Sequence, residues 1–236
     1  ALDLGLPKEI FVHGFFTVNG EKISKSLYGE QGRTIGNAID PLALVKRYGS
    51  DATRFLLLSQ FPFGSSGDVN VRRFDEQYDA ILANTIGNLV SRTIALMQKF
   101  SDGKVPAAPA DNSVFANQPL HAGAGEAISS SVASILDSLV RAPVEIATLL
   151  NQYADRTAPW KEADPAKSAT ALRTLVDGIV HLSLLAEPVL PHASAAIQRA
   201  FGVSNRQPPT PGTPVRPTEP AVLFPRASQD VKVTSV

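Results

Sequence analysis

Two hydropathy regimes divide the chain. Up to residue 67 the apolar positions come in short alternating or clustered runs, and from Asp68 they recur at helical spacings over long stretches. Residues 9–19 alternate and carry β-favouring types, which predicts a strand ending at Asn19-Gly20. Residues 20–36 read as a glycine-rich, charged loop. Asp40-Pro41 is a helix start, Asp as N-cap and Pro at the first helical position, for a short helix through Leu42, Leu44 and Val45 to Tyr48 that Gly49 stops. Ser50 is placed to cap a second helix, 51–60, with Phe55, Leu56 and Leu58 inward. Phe61-Pro62-Phe63-Gly64-Ser65-Ser66-Gly67 then breaks the chain.

Beyond this break, Phe74, Tyr78, Ile81 and Thr85 fall at spacings of three and four, and the pattern runs through Leu89 and Leu96 to Phe100, where Ser101-Asp102-Gly103 stops it. Residues 102–125 read as an exposed connection. A second helical pattern comprises Ile128, Val132, Ile135, Leu139, Ile146, Leu149, Leu150 and Tyr153, with Pro143 inside it predicting a kink or a split. A third covers about 165–201, with Gly202 as C-cap. Residues 203–220 hold six prolines and predict an extended tail, with Leu223-Phe224-Pro225-Arg226 as a docking anchor. The expected fold is mainly α: a small α/β region over 1–67, an antiparallel helix bundle over 68–202, and a proline-rich tail over 203–236.

Composition bounds function without choosing it. The 236 residues are 44% hydrophobic and 19% charged, ordinary for a globular protein, and no run approaches 18 uninterrupted apolar residues, so no membrane partner is expected. There is no cysteine, which excludes disulfides and thiolate metal sites and is compatible with the cytoplasm. The 22 basic and 22 acidic residues balance, which speaks against avid non-specific binding to a phosphate ribbon but not against reading a few exposed bases. The first residues, Ala1 to Lys8, carry neither a secretion signal nor an initiator Met, and a truncated chain is expected.

Two constellations carry chemistry. Lys22-Ile23-Ser24-Lys25-Ser26, introduced by Asn19-Gly20-Glu21, sets two ammonium groups three residues apart between two small hydroxyls. Alone it is most simply a solvated turn, yet a short loop of this kind suits a cationic clamp that closes on a polyphosphate. The second constellation is helical: Asn84, Asn88 and Arg92 are spaced by four and share a face. Asn offers a donor–acceptor pair and Arg a planar fork, the side chains suited to base edges in single-stranded RNA. Trp160, the sole tryptophan, follows Ala158-Pro159 at a helix end, either packing the bundle's end or offering a stacking platform for a base.

The order of these motifs resembles the methionyl-tRNA synthetases, class I aminoacyl-tRNA synthetases. Val12-His13-Gly14-Phe15-Phe16-Thr17-Val18-Asn19-Gly20-Glu21-Lys22-Ile23-Ser24-Lys25-Ser26 is similar to their second signature, the ATP-binding lysine–serine loop. Tyr48-Gly49-Ser50-Asp51-Ala52-Thr53-Arg54 resembles the stem-contact piece, though Asp51 and Arg54 read equally well as an intrahelical ion pair. Asn88-Leu89-Val90-Ser91-Arg92 and Asn151-Gln152-Tyr153 with Ala158-Pro159-Trp160 resemble the two anticodon-reading stretches. The sequence departs in two places: Tyr28 to Ile35 intervenes where the family goes directly to Gly-Asn, and Pro143 falls within a normally unbroken helix. Nothing matches the family's first signature or its zinc knuckle. His121, His181 and His192 lack ligand-like spacing.

The resemblance implies a part of a methionine–tRNA ligase whose partners are ATP, methionine and methionine tRNA. Lys22 and Lys25 would act in catalysis, with Ser24 and Ser26 completing an ATP-binding loop. Asn88, Arg92 and Trp160 would read the anticodon. It implies no cofactor or metal held by this chain, Mg2+ arriving with ATP. Two alternatives stand beside it: a tRNA-binding module without chemistry, or another synthetase of the same subclass. A helical scaffold with coincidental motifs is the plainest option.

Overall fold

A computed structural model describes residues 10, 14–18, 20–23, 39–115 and 132–225, and their side chains except over 132–135. The protein is mainly helical, with a small sheet at one end. Strands β1 (Phe16–Val18) and β2 (Glu21–Lys22) form a hairpin, and β3 (Gly67–Val69) pairs in parallel with β1, giving the order β2-β1-β3. The expected strand is therefore shorter than 9–19 where it is described, and Lys22 lies on a strand opposite Thr17 rather than in a loop. Asp68 fixes the hairpin: one carboxylate oxygen accepts from Gly20 N–H (2.7 Å) and from the Thr17 hydroxyl (2.9 Å). Gly14 is required by close approach, because a Cβ there would lie 2.0 Å from the Ser65 carbonyl oxygen.

Helix α1 (Pro41–Tyr48) starts as expected, the Asp40 carboxylate accepting from Leu42 N–H. Helix α2 spans Ser50–Leu58, so Ser50 is its first residue and Gly49, not Ser50, occupies the cap. Phe55 and Leu56 are buried, but Leu58 is exposed, as is Leu42. Asp51 and Arg54 form no pair with each other. Asp51, buried, accepts from Ala193 N–H (2.8 Å) and bonds His192 Nδ1 (2.7 Å), while Arg54 donates to the Pro188 and Val189 carbonyls. Both clamp α2 to the start of a later helix, α7 (Pro191–Phe201).

The long helical stretch from Val71 to Phe100 is not a uniform α-helix. A 3-10 turn (Val71–Arg73) leads into α3 (Phe74–Gln77), a π segment (Tyr78–Gly87) and α4 (Asn88–Phe100). Its buried positions are Phe74, Tyr78, Leu82, Ile86, Val90 and Ile94, together with Leu89, Thr93 and Met97. Ile81, Thr85 and Leu96 are only partly buried. A repeat of four over six residues drifts off one face of an α-helix, which has about 3.6 residues per turn. A π turn holds more than four, so ten π residues within the stretch return the stripe to the core.

Helix α5 (Val132–Thr157) runs through Pro143 without a break, against the expected split; Ile128 lies outside the described residues. It packs on α6 (Pro165–Ala186), capped by Asp164 and started by Pro165. Ile146, Leu150, Leu172, Leu175, Val176 and Ile179 are almost wholly buried between them, each contributing about 1.5–3 kcal/mol relative to exposure. Gly178 admits Leu150, whose Cδ2 would lie 2.6 Å from an added Cβ. Helix α7 ends at Gly202, whose φ of 68° is the left-handed cap.

The connection after α4 is not simply exposed: Val105 is buried, with backbone bonds to Gly212 and Thr213. The tail also packs back on the bundle, burying Val215, Thr218 and Phe224. The Tyr78 hydroxyl donates to the Pro225 carbonyl, and burial pushes that phenol up to about 12. Arg226 lies outside the described residues. Two stretches, Val71–Phe100 and Pro165–Ala186, reach the length and hydropathy of a membrane span; both bury apolar faces in the bundle.

Candidate nucleic-acid interface

The two halves of the polar cluster come from separate elements. Asn88 opens α4, where the ladder returns from π to α: its own N–H still bonds the Ala83 carbonyl, five residues back. Arg92 lies one turn later on the same face. Trp160 sits in the turn between α5 and α6, which Ala158 (φ 39°) reverses. Ala158 N–H donates to Ala154 and Lys161 N–H to Ala158, closing the turn on itself, while Ser168 anchors the Pro159 carbonyl.

Helix packing brings the residues together. The Arg92 guanidinium lies over the indole of Trp160, 4.4 Å from its centroid, and donates to Asp155 Oδ1 at 2.9 Å. One face of the indole is thus occupied by a cation whose remaining donors stay available, for Arg92 keeps 30% of its side chain exposed. Asn88 is exposed and Trp160 half-buried. None of the three is locked within the bundle, and together they form a surface able to stack on and hydrogen-bond an unpaired base. Asn84, though exposed, belongs to the π segment, and so its spacing of four from Asn88 does not have α geometry. Asn84, Asn88 and Ser91 instead line a cleft of about 240 Å3 closed by Thr218 and by Val222 to Phe224.

Sequence reading missed Asp155 and underused Asn151. Asp155 follows Asn151 by four residues on α5, a same-face spacing that pointed to a second polar contact. It also missed the Arg47–Asp75–Tyr48 cluster between α1 and α3. Arg47 pairs with both oxygens of Asp75, and the Tyr48 hydroxyl donates to Oδ1 at 2.8 Å. Burial alone would push Asp75 up, but the bonds from Arg47 and Tyr48 hold it below the usual carboxylate range.

At the sheet, the Lys22 ammonium lies 5.8 Å from the centroid of the Phe15 ring. Ser24, Lys25 and Ser26 lie outside the described residues, as does the segment 28–35. Lys22, on β2, and the Arg92–Trp160 platform are therefore on different elements.

Comparison with known proteins supplies the frame. Residues 1–94 match the family of class I tRNA synthetases of the methionine type, and residues 140–216 match the anticodon-binding domain of methionyl-tRNA ligase. Among curated relatives, the methionine–tRNA ligase of Halalkalibacterium halodurans is 34% identical over 217 residues, covering 87% of this chain and 31% of that protein. That of Clostridium acetobutylicum is 32% identical over 99% of this chain and 37% of its own length. The solved Mycobacterium tuberculosis methionyl-tRNA synthetase in complex with methionyl-adenylate superposes with a TM-score of 0.76 at 28% identity, covering 94% of this chain and 45% of that one. The chain spans about a third of the length of these curated relatives. Matched over residues 1–94 and 140–216 by models of this family, and along most of its length by methionine–tRNA ligases of two organisms, the chain belongs to the methionyl-tRNA synthetases.

Proposed function

We propose that this chain serves a methionine–tRNA ligase by presenting the lysine–serine loop for ATP and by reading the anticodon of methionine tRNA. In the complete reaction, the methionine carboxylate attacks the α-phosphorus of ATP, giving methionyl-adenylate and pyrophosphate. The terminal adenosine hydroxyl of the tRNA then displaces AMP. Lys22 and Lys25 offset the charge that builds on the triphosphate in the first step, and Ser24 and Ser26 hold the loop near the phosphates. Mg2+ enters with ATP as part of the substrate.

The observation that carries the reading is the Arg92–Trp160 stack beside exposed Asn88. An indole with a fixed cation on one face leaves the other for a base, and the amide and guanidinium supply the edge contacts that discriminate among bases. Binding energy gained there selects which tRNA delivers its acceptor end. Filter binding of the chain to methionine tRNA and to the same tRNA with altered anticodons tests this: an affinity independent of the anticodon would leave only a helical scaffold.

A second reading is favoured by the chain's covering 31% of one curated relative: taken alone, these residues bind tRNA without chemistry. Methionine-dependent exchange between ATP and pyrophosphate separates the two. Exchange catalysed by the 236 residues alone would overturn the module reading.

A further inference from the structure

We infer that Asn151 is a positioning residue for the RNA-reading face, holding the π-to-α register that carries Asn88 and Arg92 to Trp160. The inference rests on the anticodon-reading function for its consequence, but its geometry stands apart from that function.

The π segment is the unusual element of this bundle. Short π turns within α-helices cluster at functional sites, and here the segment runs for ten residues and ends where the polar face begins. A π turn closes one residue later than an α turn, and one residue corresponds to roughly 100° of rotation and about 1.5 Å of rise in an α-helix, so losing the π register would rotate everything downstream. The upstream end is pinned by Phe74 and Tyr78 in the core. Were the segment to relax to α geometry, Arg92 would swing off the indole. Something must therefore hold the register.

Among the described residues, a single side-chain hydrogen bond joins α5 to the backbone of the π segment, and Asn151 makes it. Its Nδ2 donates to the Ala147 carbonyl on its own helix (2.9 Å) and across to the Thr85 carbonyl (3.0 Å). Both partners are acceptors, so the amide's NH2 must face them and both of its protons are used. The Thr85 carbonyl belongs to the last three residues of the π segment. The same residue's hydroxyl donates five residues back, to Ala80 at 2.7 Å, following the π spacing. One turn along α5 from Asn151, Asp155 takes Arg92. A single face of α5 thus grips the register at Thr85 and its product at Arg92. Both donors of the Asn151 amide are spent on carbonyls and are not offered to a base.

The test uses the whole chain and its one tryptophan, whose emission reports the Arg92 stack directly. Asn151→Asp keeps the shape but presents acceptors to a carbonyl. Asn151→Ala removes the donor without crowding and favours helix, and so covers the case in which the aspartate variant fails to fold. The folded variants are expected to show a Trp160 emission and acrylamide quenching shifted toward those of Arg92→Ala, with unchanged helical circular dichroism. Affinity for an RNA hairpin carrying the CAU loop is expected to fall about tenfold or more, comparable to losing a well-placed hydrogen bond, and the preference over altered loops to shrink. Folded variants with wild-type quenching and wild-type preference would overturn the inference. If wild type itself shows no loop preference, the anticodon reading fails, while the quenching arm still decides the register.

Discussion

Replacing Trp160 with alanine removes the stacking face and leaves most of its surroundings in place. Arg92 stays tethered by Asp155 at 2.9 Å, so the guanidinium does not wander far when the ring beneath it is lost. The cation–π contact at 4.4 Å is partly exposed and contributes about 0.5–1 kcal/mol to the free protein. A base stacked on the indole contributes about 1–3 kcal/mol in the complex. Because the first quantity stabilises both free and bound states, the binding loss is set by the second. Trp160→Ala is therefore expected to weaken anticodon-dependent binding by about 1–3 kcal/mol, roughly 5- to 150-fold. Trp160→Phe, which keeps a π face, should recover more than half of that. The assay is fluorescence anisotropy of a labelled anticodon hairpin at one fixed salt concentration, since phosphate contacts would otherwise move the baseline. The ring is half-buried in an inter-helix turn, so the melting temperature should change little. Binding by Trp160→Ala equal to wild type on every loop would refute the stacking argument.

Other consequences follow from the same structure. Asp51→Ala leaves Ala193 N–H unpaired and unclamps α2 from α7, and should cost about 3 kcal/mol in denaturant unfolding. Leu150→Ala, at a fully buried site facing Gly178, should cost about 2–5 kcal/mol by the same measurement. Asp75 has a depressed folded-state pKa, so its contribution is complete above the ordinary carboxylate pKa of about 4 and disappears as pH falls through the folded value. The stability gap between wild type and Asp75→Asn should therefore be constant at neutral pH and close in acid; with Asp75 half exposed it should stay under about 1 kcal/mol. In a full-length enzyme, Lys25→Ala should abolish methionine-dependent ATP–pyrophosphate exchange while largely sparing tRNA affinity. Equal loss of both would make the loop an RNA contact.

Much of the fold was legible because local signals agreed with packing. Asp40-Pro41 and Gly202 mark helix ends by chemistry that tertiary structure had no reason to override. The π segment was the main thing misread. Spacings of three and four suggested an α period through Ile81 and Thr85, whereas Phe74, Tyr78, Leu82, Ile86, Val90 and Ile94, all buried, keep a strict four. That interval is itself the signal, since only a ladder mixing α and π turns keeps it facing one way. Pro143 misled for the opposite reason: its local cost is real, but the α5–α6 core on either side, Val140 and Ile146 included, outweighs it. At the site, Asn88, Arg92 and Trp160 were legible as residue types unsuited to a core. The cross-helix partners of Asp155 and Asn151 were not, because they depend on which helix lies opposite, and a linear pattern does not contain that.

The central claim is that Asn88, Arg92 and Trp160 act together as a reader of anticodon bases. The most direct measurement is the affinity of this chain for hairpins that differ from the CAU loop by one base at a time, at constant salt. A change at the base seated on Trp160 is predicted to cost about 1–3 kcal/mol, the worth of one well-read base, with changes in the stem costing little. Equal affinity for all loops would contradict it.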